Sequence, residues 1–173
     1  MIHIVLYRPE KPLNTGNIMR TCMAIKAKLH IIGPITFSLQ EKDLKRAGLD
    51  YIETLDYTYY ENIEEFNKKV GKTEIFFISR YGDKTYSNED FSDSVKDYYV
   101  MFGRESTGIS HDILREHMDH VLRIPMVANA RSLNLSNCVA IVAYEILRQQ
   151  NFLDLATSET IKGEDFLLKE LRK

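Results

Sequence analysis

Between the apolar runs R-I-P-M-V (123–127) and C-V-A-I-V (138–142) the chain crowds Asn129, Arg131, Ser132, Asn134, Ser136 and Asn137 into nine residues. A connection that only had to turn the chain could do so with fewer polar groups. With Ile124, Pro125 and Met126 as an apolar wall, this run has the makings of a pocket for an amphipathic small molecule: mostly apolar lining and a few placed donors and acceptors. Asn134 or Ser136 also fits as the cap of the following helix, with Arg131 solvated. Both readings can hold at once.

Two other segments carry chemistry-bearing residues. In M-F-G-R-E-S-T-G-I-S (101–110) Gly103 directly follows a strand-like run and Gly108 comes five residues later. Glycines at such a position permit close backbone approach to a ligand. The segment is not a dinucleotide fingerprint, a phosphate loop or a nucleophile elbow, because G-x-G-x-x-G, G-K-S/T and G-x-S-x-G are all missing. Glu105 could serve as a general base, although a capping or loop-stabilising carboxylate is the commoner role. In P-L-N-T-G-N-I-M-R-T-C (12–22) Pro12 and Asn14 are expected to end the first strand, Asn14 or Thr15 to cap a helix, and Gly16 to keep its first turn uncrowded. Ile18, Cys22 and Ile25 share one face of that helix, and Arg20 falls about 200° from Ile18, away from the core. Arg20 is then either a solvated surface residue or, with the helix N-terminus, a binder of an anion such as an RNA phosphate.

The elements that must position these segments alternate in type. Short apolar runs at 2–7, 29–33, 74–79, 98–103 and 120–125, rich in β-branched and aromatic residues, read as strands. Their near-continuous apolarity predicts a mostly parallel sheet with helices on both faces, an α/β fold. Helices fit at 16–27, 41–47, 60–70, 110–118, 136–150 and 164–171, with Gly48 as a C-cap. Ligands of open α/β sheets bind at the carboxyl ends of the strands, where all three polar segments would converge. On the helix at 136–150, Val139, Val142, Ala143 and Ile146 form one stripe, while Ile141 and Tyr144 lie off it. A helix apolar on two sides is usually buried on two sides, here against a second subunit.

The totals bound the rest. The 173 residues, 44% hydrophobic and 28% charged, form one domain over 1–173 with core enough to need neither disulfide nor metal. No run approaches the roughly 20 apolar residues that span a bilayer, and the N-terminus reads as a strand and not a signal peptide, so the expected location is cytoplasmic. Cys22 and Cys138 read as reduced core thiols. The five histidines show no H-E-x-x-H pattern, which disfavours a metal-dependent hydrolase. With net charge -2 and pI near 6.2, any nucleic acid must bind through a local patch. Arg8, Lys11, Arg104 and Arg131 near the three segments supply one, and Lys26, Lys28, Lys42, Lys45 and Arg46 a second.

Taken together, P-L-N-T-G-N-I-M-R, F-G-R-E-S-T-G-I and R-I-P-M with R-S-L-N-L-S-N resemble, in order and spacing, the three motifs of the SPOUT class of RNA methyltransferases. The chain is most similar to the TrmL-type tRNA wobble-position ribose 2'-O-methyltransferases along essentially its whole length. The resemblance implies a homodimer, and a deep C-terminal trefoil knot that holds S-adenosylmethionine and releases S-adenosylhomocysteine, with no metal. It implies cofactor contacts from Ile78, Gly103, Ile124, Met126, Ser132 and Leu133, substrate contacts from Asn14, Glu105, Arg131 and Asn134, and catalytic roles for Arg20 and Tyr144. The alternatives are another RNA ribose or base as acceptor, or a non-catalytic RNA-binding module on the same scaffold.

Overall fold

The computed structural model describes residues 1–39, 55–163 and 165–170. The expected helix at 41–47, its Gly48 cap, the basic residues Lys42, Lys45 and Arg46, and positions 164 and 171 of the expected last helix lie outside the described residues.

Among the described residues, seven strands form one sheet in the order β3-β2-β1-β6-β4-β7-β5, and every pairing between them is parallel. They are β1 (Ile2–Tyr7), β2 (Lys28–Ile32), β3 (Tyr57–Tyr60), β4 (Ile75–Ile78), β5 (Lys84–Thr85), β6 (Tyr98–Phe102) and β7 (Val121–Arg123). The helices are α1 (Pro12–Ile25), α2 (Ile63–Val70), α3 (His111–Glu116), α4 (Leu135–Gln149) and α5 (Phe166–Glu170). All six residues of β1 are buried, as a strand covered on both faces requires. One core cluster joins alternate residues of β1, β2 and β6 to α1 and α4, through Ile18, Cys22, Val139, Val142 and Ile146. The other, with Val5, Tyr7, Phe77 and Met101, packs under Phe66 and Leu114 from α2 and α3.

The α/β class and parallel sheet agree with the sequence pattern, and two strands go beyond it. β3 and β5 are the sheet's two edges: Tyr60, expected to open a helix, ends β3, the helix starts at Ile63, and β5 is two residues long, too short to show a period.

The start of α1 is also corrected. Strand β1 ends at Tyr7, Pro12 opens the helix, and Asn14 and Thr15 lie buried inside its first turns instead of capping it. Lys11 is the N-cap and its own side chain makes no capping bond.

Inside the second core, His3 Nδ1 and His30 Nε2 share a hydrogen bond at 3.0 Å, and His30 Nδ1 shares another with the Tyr60 hydroxyl at 2.9 Å. Burial pushes the His30 imidazole down to about 4, with His3 and Lys28 adding to the effect, and burial also lowers His3. The folded chain therefore holds both rings neutral where the unfolded chain, titrating near 6.5, takes up protons. Stability from this pair is complete above about pH 6.5 and is lost as pH falls toward 4, by about 3 kcal/mol for His30. Thermal melts across pH 4 to 7 should show this slope, and His30→Gln, which cannot titrate, should flatten it. An unchanged slope would show that the relay does not govern acid stability.

Candidate active site

The three polar segments meet where the sheet topology says they should. β1, β6, β4 and β7 end side by side, and the loops that leave their carboxyl ends enclose a cleft of about 740 Å³. Ile78 from β4, Gly103 after β6, and Ile124, Met126, Ser132 and Leu133 after β7 all line it. Asn14, Glu105 and Asn134 line it as well. Arg131 does not, and neither do Arg20 and Tyr144.

A chain of hydrogen bonds ties the segments together. Glu105 Oε2 accepts from the backbone N–H of Glu10 at 2.9 Å, and its Oε1 accepts from the Lys11 N–H at 3.2 Å and from Asn14 Nδ2 at 2.8 Å. Asn14 Oδ1 accepts from Asn134 Nδ2 at 2.9 Å, and Asn134 Oδ1 accepts from the Ser136 N–H at 2.9 Å and the Ser136 hydroxyl at 2.7 Å. One carboxylate thus caps α1 from more than ninety residues away, and its negative charge suits that helix terminus. Of the two residues the sequence offers, Asn134 and not Ser136 caps α4, and it spends its amide nitrogen on Asn14. Glu10 returns the contact, accepting from the Ser106 hydroxyl at 2.7 Å and its N–H at 3.0 Å, which holds its carboxyl below the usual range.

Two glycines shape the wall. Gly108 sits at φ +73, a conformation that L side chains rarely adopt, and donates its N–H to Arg104 O at 2.9 Å to close the loop. Gly103 lies so close to that loop that a Cβ on it would stand 2.6 Å from Gly108 Cα and overlap the Ile109 nitrogen. Arg104 also lines the cleft, and its Nε is buried with no hydrogen-bond partner among the described residues. Cys22 is buried and its thiol is pushed up to about 12. Cys138 is a departure from a plain core thiol: half-buried, it borders the cleft, but burial raises it too, so neither sulfur is a ready nucleophile.

The sequence reading missed residues 79–82, whose Arg80 and Tyr81 stand at the cleft mouth. An arginine, an aromatic and a glycine directly after a strand were the available signal.

Arg20 and Tyr144 lie on an outer face. Positions 13, 17, 20 and 24 of α1 are exposed, as are 137, 141, 144 and 148 of α4, so each helix presents a continuous stripe. The two helices pack together, and Leu13 (63% exposed), Ile141 (36%) and Tyr144 (48%) keep this face partly apolar. Among the described residues no three His, Cys, Asp or Glu side chains cluster in a way that could hold a metal ion, and no helix is long and apolar enough to cross a membrane.

Among the described residues, the cleft lies at the carboxyl edge of a parallel α/β sheet, walled by a glycine loop and an asparagine-rich loop, which is where open sheets of this kind place their ligand sites. Residues 1–144 match the model of the SpoU rRNA methylase family, and the chain belongs to that family. A Bacillus subtilis protein named as a candidate tRNA (cytidine(34)-2'-O)-methyltransferase is 48% identical over 154 residues, 89% of this chain and 96% of that one. A crystal structure of a candidate RNA methyltransferase from Bacillus anthracis is 50% identical with TM-score 0.88, over 92% of this chain and all of that one. A structure solved to study 2'-OH methylation of C/U34 on tRNA is 37% identical with TM-score 0.79, over 87% and 91% of the two chains. The SpoU methyltransferase AviRb from Streptomyces viridochromogenes, solved with AdoMet, is 25% identical with TM-score 0.71, over 87% of this chain and 60% of that one.

Proposed function

We propose that this chain transfers a methyl group from S-adenosylmethionine to the ribose 2'-hydroxyl of the wobble nucleotide of tRNA. The observation that carries the reading is the convergence of three distant segments on one cleft lined by Ile78, Gly103, Ile124, Met126, Ser132 and Leu133. These residues fit the cofactor. Four apolar side chains offer flat walls, Gly103 bares backbone groups, and the orphaned Nε of Arg104 is a donor still to be used. When bound, the cofactor supplies a sulfonium methyl open to displacement by an alcohol oxygen.

The protein's own part is to position that oxygen in line and to stabilise the charge it develops. Arg20 is suited to the charge: a guanidinium is always protonated and has no acceptor, so it grips the neighbouring phosphate or the developing alkoxide and does not take the proton. A phosphate oxygen, water or another side chain takes the proton, and the Tyr144 phenol hydrogen-bonds at the reacting centre. Asn14, Glu105 and Asn134 are expected from the sequence to touch substrate. Their mutual bonds support a positioning role, in which they lock the start of α1 against the third loop. Arg131, exposed beside the cleft, remains a contact for RNA.

The reading includes a homodimer formed through the exposed stripes of α1 and α4, so that Arg20 and Tyr144, outside their own cleft, serve the neighbouring subunit. It also includes the class's deep C-terminal knot, a single domain over 1–173, S-adenosylhomocysteine as product and a cytoplasmic location, where tRNA is found.

The test is incubation with methyl-labelled S-adenosylmethionine and unmodified tRNA, followed by alkaline digestion. A 2'-O-methyl group blocks attack on the adjacent phosphodiester, so a labelled dinucleotide mapping to the wobble position is the expected product. Label in single nucleotides would place the methyl on a base. Cofactor and tRNA binding with no transfer would point to a non-catalytic RNA-binding module.

A further inference from the structure

The turn after β4 holds an aromatic ring outward over the cleft mouth, and nothing in the reading above uses it. Tyr81 is 57% exposed, and it lines that cleft together with Arg80 and His111. The turn beneath it is tightly held. Ser79 N–H donates to Leu122 O at 3.0 Å, Gly82 N–H to Ser79 O at 3.3 Å, and Tyr81 N–H to the Ser79 hydroxyl at 3.2 Å. Arg123 Nη1 donates to Arg80 O at 2.8 Å. Gly82 is pressed so closely onto β7 that a Cβ there would lie 2.7 Å from Leu122 C and 2.8 Å from Val121 O. His111, the first residue of α3, packs perpendicular to the Tyr81 ring at 5.1 Å. With its backbone held this firmly and His111 packed against it, the exposed ring has less conformational freedom to lose when a flat partner stacks on it.

Resting on the methyltransferase reading, we propose that Tyr81 is a stacking platform for an RNA base that flanks the methylated nucleotide. Single-stranded loops present unstacked bases, every base has a π face, and aromatic side chains beside cationic ones are how proteins hold them. Arg80 on the same turn supplies a cation for an adjoining phosphate. The bound cofactor needs no such ring, because Ile78, Ile124 and Leu133 already wall the cleft behind Tyr81.

Tyr81→Ala should weaken tRNA binding roughly 5- to 150-fold, the range given by loss of one base–aromatic stack. The loss should fall on KM for tRNA and leave kcat nearly unchanged, and S-adenosylhomocysteine should bind as in the wild type. Tyr81→Phe, which keeps the π face, should retain affinity, whereas Tyr81→Leu, which keeps bulk alone, should lose it. The Phe and Leu pair keeps the test valid should the alanine variant fold poorly. Unchanged tRNA affinity in the leucine and alanine variants would overturn the proposal, and so would a parallel loss of S-adenosylhomocysteine binding, which would make Tyr81 a cofactor contact. Wild-type protein that neither binds nor methylates tRNA would overturn the underlying reading instead, so the two failures are told apart by the wild-type control.

Discussion

Gly103→Ala is expected to lower affinity for S-adenosylhomocysteine on the order of 100-fold and to cost about 1–3 kcal/mol of stability, a fall of about 3–10 °C in melting temperature. The added methyl meets backbone, the Cα of Gly108 at 2.6 Å and the nitrogen of Ile109, so no side chain can swing aside to admit it. Ile109 is 3% exposed and cannot withdraw into a core that is already filled. The remaining freedom is for the 104–108 loop to move outward. That loop is closed by the Gly108 to Arg104 hydrogen bond and carries Glu105, so its movement both reshapes the cleft wall and pulls the cap from α1. Calorimetric titration with S-adenosylhomocysteine beside thermal melting checks both parts. Wild-type affinity in the variant would show that this loop is not a wall of the cofactor site.

Arg20→Ala is expected to reduce methyl transfer by 100-fold or more while cofactor affinity stays near wild type. Arg20 lies outside the cofactor cleft of its own chain, and removal of one preorganised cation from a developing oxyanion typically costs 100- to 1,000-fold in rate. Arg20→Lys separates charge from shape: full activity in that variant would end the guanidinium-specific role, because lysine keeps the charge and loses the planar fork. Mixing tests which subunit Arg20 serves. With Arg20 acting in the neighbouring cleft, Arg20→Ala and Gly103→Ala subunits, assayed with cofactor too dilute to fill the Gly103→Ala cleft, form mixed dimers holding one working site. Random pairing then restores roughly a quarter of wild-type activity. With Arg20 acting in its own cleft, no mixture recovers activity.

Much of the site was legible because its residues sit where local rules put them. Gly103 and Ile78 are at the ends of strands whose apolar runs are plain in the sequence, and a parallel sheet gathers strand ends at one edge. Asn134 could be read as a helix cap since its partner is two residues away. Tyr81 escaped because an exposed tyrosine on a turn has no periodic signature, and the turn that carries it is held by Leu122 and Arg123, more than forty residues on.

Local composition and periodicity by themselves determined the strand cores, the parallel α/β class, the two-sided character of α4 and, through three ordered motifs, the resemblance to a family. These depend on short-range preferences and on which side chains avoid water, and both are written along the chain. Only the tertiary structure decided where α1 begins and what Asn14 and Glu105 do. The cap of that helix is a carboxylate from the far end of β6, and a hydrogen bond between residues ninety apart exists only once the sheet has brought β1 and β6 side by side.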